Sequence, residues 1–266
     1  MAIITISRGT YSGGREVAEK VAQRLGYECL SREVLVEASR EFNIPEVKLL
    51  HAIRDAPSVL DRFSFGKERY VAYIQTALLE HFQKDNIVYH GLAGHFFVRH
   101  VGHVLKVRIV ADPEDRIPAM MQREGITDPD QARRRLDAID ETRRKWSLYL
   151  YGIDTHDPAL YDLVIHLKDL STDDAADIIC HTIQMPCFQT TPESQQKLED
   201  LLLAARVRAT LIERYPRAGV GAHEGVVYIG VEGAGAREEK EIHDVVGQVP
   251  GVKEIEVCVY PFLIPD

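Results

Sequence analysis

Residues 2–8, AIITISR, are almost wholly apolar, and the chain then breaks into a glycine- and serine-rich stretch before a periodic segment begins. A short apolar run bounded by turn residues reads as a strand buried on both faces. In residues 14–27, Val17, Val21 and Leu25 recur every four positions with Ala18 and Ala22 beside them. That is a helical stripe, and Gly26 is placed to close it. Residues 31–44, 45–57 and 65–85 read as three further helices. Residues 86–94, 103–111 and 161–167 read as buried strands. Two helices start on an aspartate followed by proline, at Asp112-Pro113 and Asp128-Pro129. Proline suits the first helical position because its missing N–H would have no partner there. Residues 171–185 form another helix with Ser171 as its cap.

Strands that alternate with helices imply a parallel sheet covered on both faces, whose ligands sit at the carboxyl ends of the strands. Those ends are Ser7-Arg8, His90-Gly91 and Ala111-Asp112. The texture changes after residue 185. A proline-bearing polar stretch, residues 186–194, reads as a linker. It precedes a helix striped by Leu198, Leu202, Ala205, Ala209 and Ile212, two strands turned at His223-Glu224-Gly225, a helix, and a strand alternating through Ile255, Val257 and Val259. The expected fold is therefore α/β: a parallel sheet with helices on both faces over 1–185, then a small α+β domain of order αββαβ over 195–266.

Charge narrows the function. The formal net charge is −9, which argues against nucleic-acid binding and against adsorption to anionic lipid. The four cysteines (Cys29, Cys180, Cys187 and Cys258) contain no C-x-x-C pair and read as reduced, mostly buried thiols. No apolar run reaches the ~18 residues of a membrane span. A cytoplasmic protein is the expectation.

The chemistry is concentrated in the loop after the first strand, SRGTYSGGREVAEKV. A phosphate cradle needs backbone N–H groups at a helix N-terminus and glycines that let the ligand approach. Gly9, Ser12, Gly13 and Gly14 supply these between a strand and a helix. Arg15 stands where a P-loop has lysine, and Glu16 where it has the Mg²⁺-binding hydroxyl. Arg15 can reach phosphates as a planar fork, while Glu16 could hold Mg²⁺ only as a carboxylate. Farther on, Arg143 falls on the apolar line of Leu136, Ile139, Trp146 and Leu150, where a solvated charge would not be placed, and Asp140 is positioned to orient it. Arg116 and Arg123 lie two turns apart on the preceding helix. Arg133, Arg134, Arg135 and Arg144 read as a solvated face. Four histidines, His90, His95, His100 and His103, are close in sequence but need not converge on a metal.

These motifs resemble the cytidylate-kinase-like P-loop proteins, whose loop commonly reads S-G-G-R-E. The resemblance continues through NIVYHGLAGHFFV, VRIVADPEDRIPAMMQREGI and the D-x-x-R-x-K-W-S-x-Y-x-Y-G stretch followed by YDLVI. It implies a nucleoside-monophosphate-kinase fold, with an acceptor-binding segment over about 31–84 and an arginine-bearing lid over about 115–145. It also implies ATP and Mg²⁺ as cofactors, and CMP or another small phosphate acceptor as substrate. Arg32 and Arg40 in that segment, with His90 and Gly91 beyond it, are the candidate acceptor contacts. Arg15, Arg116, Arg123, Asp140 and Arg143 are the candidate catalytic set. Two departures stand out: where relatives carry D-G-R-D or keep G-R, this chain has His90 for the aspartate and Leu92 for the arginine. The alternative reading is therefore a nucleotide sensor without transfer chemistry. Over about residues 195–262 the stretches LLLAARVRATL, EGVVYIGVEG and VPGVKEIEV resemble a BON domain, which implies a regulatory or dimerising module, with a homodimer as one outcome.

Overall fold

The computed structural model describes residues 2–31, 66–91, 94–233 and 235–260. Among them, residues 2–31 and 84–191 form one compact unit, and residues 66–83 and 192–260 a second.

The first unit is built on a five-stranded sheet. Its strands are β1 (Ile3–Arg8), β2 (Glu28–Leu30), β3 (Ile87–Tyr89), β4 (Val104–Val110) and β5 (Leu163–His166). Their order is β2-β3-β1-β4-β5, and every pairing is parallel. One face carries Ile4 and Ile6 of β1 and Leu105, Val107 and Ile109 of β4. They pack on Val17, Ala18 and Val21 of α1 (Gly14–Leu25) and on Ala175, Ala176 and Ile179 of the helix Thr172–Thr182. Thr5 and Ser7 alternate to the other face and are buried too. Period-2 alternation therefore does not separate inside from outside in this sheet, because helices cover both sides.

The helix punctuation works as the sequence suggests. Gly26, Gly125 and Gly152 each take a left-handed conformation after a helix and donate back to its last turn. These helices are α1, α4 (Pro113–Glu124) and α5 (Pro129–Tyr151), with α2 (Gly66–Phe82) and the single-turn α3 (Gly94–Phe97) lying between. Asp128 caps α5 by accepting from Asp130 N–H. Asp112 makes no such bond, since its carboxylate is held by Lys168 and His166. Ser171 and Asp174 form a reciprocal capping box on α6 (Thr172–Thr182).

The second unit has a three-stranded sheet of β6 (Gly219–His223), β7 (Val226–Glu232) and β8 (Glu254–Tyr260). β6 and β7 are antiparallel, and β7 and β8 parallel across α8 (Ala236–Val246). Glu224 and Gly225 turn the hairpin, both at positive φ, as a two-residue primed turn requires. The expected stripe on α7 (Pro192–Leu211) is buried from Leu198 through Ala209.

Four expectations need correction. A fifth strand, β2, lies at the sheet edge; three residues, from exposed Glu28 to buried Leu30, leave too little pattern to detect. Helix α2, expected within the acceptor segment of the first domain, clusters with the second unit. There Ala72 and Tyr73 pack on Ala209 and Ile212, and Glu80 pairs with Arg206 at 2.7 Å. The linker is shorter than residues 186–194, because a 3₁₀ turn occupies Pro186–Phe188 and α7 begins at Pro192. The cysteines are free, but none is fully buried, and Cys187 and Cys258 are exposed.

Candidate active site

β1 carries Ser7 and Arg8 to the carboxyl edge of the sheet, and the glycine loop follows at once. Ser12 turns its hydroxyl inward, donating to the Gly9 carbonyl at 3.0 Å. Gly13 sits at φ 75° and launches α1. A Cβ on Gly14 would lie 2.7 Å from that of Arg8, so only glycine lets the helix start this close to the strand end. Ser12, Gly13, Gly14 and Arg15 line a cavity of about 680 Å³ with Arg8, Arg123 and Arg143. The unpaired N–H groups of a helix's first turn favour an anion there. Arg15 stands on the rim, its Nε 2.7 Å from Glu19.

Glu16 is engaged elsewhere. It accepts from the Thr172 hydroxyl at 2.7 Å and lies 2.9 Å from Lys20. These bonds, that of Thr172 first, hold its carboxyl below the usual range. A resident Mg²⁺ would have to displace an ammonium already in place, so this donor does not fit the ion. Among the described residues no group of three or more His, Cys, Asp or Glu side chains could hold a metal.

The two helices after β4 form a collar on the loop. Arg116 is 8% exposed, and its Nη1 donates to Asp140 at 2.6 Å and to the Thr10 carbonyl at 3.2 Å. Asp140 also accepts from Thr10 N–H at 3.2 Å. The expected partner of Asp140 was Arg143; its carboxylate instead clamps Arg116 and the loop backbone. Arg123 is exposed at the cavity wall. Arg133, Arg135 and Arg144 pair with Glu114, Glu124 and Asp154. The bond from Arg144 pulls the Asp154 carboxyl down to about 2.

A second cavity of about 260 Å³ adjoins the first, sharing Arg8 and Arg143 with it. Its wall includes Ser7, Gly91, His95 and Arg108. Arg108 faces its register partner Ser7 across β4 and β1. Its Nη1 donates to the Ser7 hydroxyl at 3.2 Å and to that of Tyr161 at 3.3 Å. The Tyr161 hydroxyl in turn donates to the Thr155 carbonyl at 3.0 Å. His95 stacks on Tyr161 with ring centroids 4.9 Å apart. Burial, then the charges of Arg108, Arg99 and Lys106, push its pKa down to about 3.

The candidate acceptor contacts divide. His90 lines the loop cavity and Gly91 the second one. A Cβ at Gly91 or Gly94 would collide with the Tyr89 ring. Arg32 and Arg40 lie outside the described residues. The sequence did not single out Arg8, Arg108 or Tyr161; only their place at or near strand ends hints at them.

A sequence model described as the cytidylate kinase-like family matches residues 3–169. The chain is 28% identical over 185 residues to a cytidylate kinase of Archaeoglobus fulgidus, covering 68% of this chain and 94% of that one. It is 26% identical over 188 residues to a cytidylate kinase of Pyrobaculum arsenaticum, covering 69% and 95%. Among solved structures it is similar to an uncharacterized protein from Eubacterium ventriosum, with a TM-score of 0.52, 21% identity, and 69% and 98% of the two chains covered. The phosphate loop, the five-stranded parallel order and the matched span agree, and this chain belongs to the cytidylate kinase-like family.

Proposed function

We propose that the first unit is an ATP-dependent phosphotransferase of the nucleoside-monophosphate-kinase type. One observation carries the reading: Arg8 and Arg143 line both cavities. A phosphoryl group passing between a donor on the loop and an acceptor in the second cavity would move between cations common to both. Phosphoryl transfer needs little covalent help from the protein, and is driven by in-line positioning and charge neutralisation. In this reading the N–H groups at Gly13 and Gly14 cradle the donor phosphates, and Arg15 meets them from the rim. Arg143 neutralises charge on the transferred group. Arg116 and Asp140 hold the loop through Thr10 and do not themselves meet phosphate. Mg²⁺ would arrive with the nucleotide, since Glu16 is engaged with Lys20 and Thr172. The relatives' description as cytidylate kinases makes CMP the first acceptor to try.

For residues 192–260 of the second unit, whose elements run αββαβ, a regulatory or dimerising role is proposed, as the sequence resemblance to BON domains suggests. The test of the transferase reading is calorimetric titration with ATP, followed by product analysis with CMP and the other nucleoside monophosphates. ATP binding with a nucleoside diphosphate formed supports the reading. Saturable ATP binding without product from any acceptor overturns it in favour of a sensor.

A further inference from the structure

Among the described residues, Arg108 is a charge without a counter-charge. It is 9% exposed, and its hydrogen-bond partners are two neutral hydroxyls, those of Ser7 and Tyr161. Its guanidinium also lies over the Tyr161 ring, 5.6 Å from the centroid. Burying a guanidinium costs several kcal/mol unless an anion compensates it. Every other arginine that lines this cavity and whose partners are described above, Arg116 and Arg144, has its own carboxylate. His95 lies in the same wall, 3% exposed, and its Nε2 is buried with no hydrogen-bond partner. The cavity therefore holds a buried cation with no counter-charge and a buried imidazole nitrogen with no hydrogen-bond partner among the described residues. Most buried polar groups in folded proteins are hydrogen-bonded, and an exception that lines a cavity has room for a partner from solution.

We propose that this cavity is an anion subsite in which Arg108 and His95 bind the phosphate monoester of the acceptor. It replaces, from β4, the cation lost where Leu92 stands in the G-R position. Arg108 would supply paired donors to two phosphate oxygens, as its planar fork allows. His95 Nε2 would meet a third oxygen. Ser7 and Tyr161 fix the guanidinium, and the Thr155 carbonyl fixes Tyr161. That the anion belongs to a phosphoryl acceptor rests on the phosphotransferase reading; that the cavity binds an anion does not.

The experiment is calorimetric titration of the full chain with inorganic phosphate, using acetate as the carboxylate control and a non-hydrolysable ATP analogue to occupy the loop. Phosphate should still bind with the loop occupied. Arg108→Met should weaken it at least about tenfold, while the affinity for the ATP analogue changes less than about twofold. Arg108→Lys should restore part of the loss. CMP should bind this cavity and cytidine should not. If Arg108→Met fails to fold, judged by the fluorescence of the single tryptophan Trp146, the milder Tyr161→Phe replaces it, with a loss of a few fold expected. Histidine NMR gives an independent readout: the His95 ring signals should move with phosphate in the parent protein and stay still in the Arg108 variant. Phosphate binding unchanged by these substitutions, or absent from the parent protein, overturns the subsite. Tighter binding of acetate than of phosphate overturns the phosphate assignment. Failure of the transferase reading looks different: no nucleoside diphosphate forms, while phosphate binding still depends on Arg108.

Discussion

Two buried arginines in one unit, Arg116 and Arg108, have been given opposite surroundings. Arg116 sits in the collar with the Asp140 carboxylate 2.6 Å away and the Thr10 carbonyl beside it. Arg108 sits on the interior strand β4 with hydroxyls alone. The first has its counter-charge inside the protein and fastens the loop; the second has none among the described residues. Where a buried cation has its counter-charge inside the protein, its task is structural. Where it lacks one, the missing partner belongs to something that binds.

The most severe test of that contrast is Asp140→Ala. It strands the Arg116 charge in a buried setting and releases Thr10 N–H, so stability should fall by about 3 kcal/mol. Urea unfolding measures it, and a loss below about 1 kcal/mol would place Arg116 with Arg108. Next is Arg143→Met. Removing one cation that stabilises transferred charge should lower kcat about 100-fold with ATP affinity nearly kept, as single-turnover assays with a competent acceptor would show.

A more gradual effect is expected in acid. His95, held neutral with a pKa of about 3, resists protonation in the fold while the unfolded chain takes up a proton near pH 6.5. The unfolded state binds more protons between those limits, so stability drops as pH falls from about 6.5 towards 3, by at most about 1.4 kcal/mol per unit. Asp154, with its carboxyl lowered to about 2, adds its own loss only below about pH 4. Melting curves of His95→Asn should therefore be flatter between pH 4 and 6.5. The smallest change is expected for Arg108→Met. Exchanging a buried unpaired charge for a thioether of similar length should leave stability within about 1 kcal/mol or raise it. A large loss would make Arg108 a structural group like Arg116.

Much of this could be read from the chain. Aspartate-proline starts at Asp112 and Asp128, closing glycines at 26, 125 and 152, and the four-residue stripe of α1 are local signals, and they placed their helices within a few residues. Arg143 stood out because it interrupts an apolar line. Arg108 did not, for a physical reason. In VLKVRIV, Arg108 shares its alternation with Lys106, and that pattern by itself does not tell a buried cation from a solvated one even in a strand read as buried. Here helices cover both faces, so the position that looks solvated is buried. The role of Asp140 was hidden for a different cause: its partners Thr10 and Arg116 are distant in sequence, and only the folded collar brings them together. The grouping of α2 with the second unit likewise depends on a surface matched to α7, which no local pattern announces.

The clamp on Thr10 has one more consequence. Its N–H and its carbonyl are both held by side chains from the helices after β4. The amide proton of this single residue can meet solvent base only when Asp140 lets go. Its hydrogen-exchange rate is then a clock for the opening of the collar, readable without nucleotide, acceptor or turnover, and a ligand that draws loop and helices together must slow it.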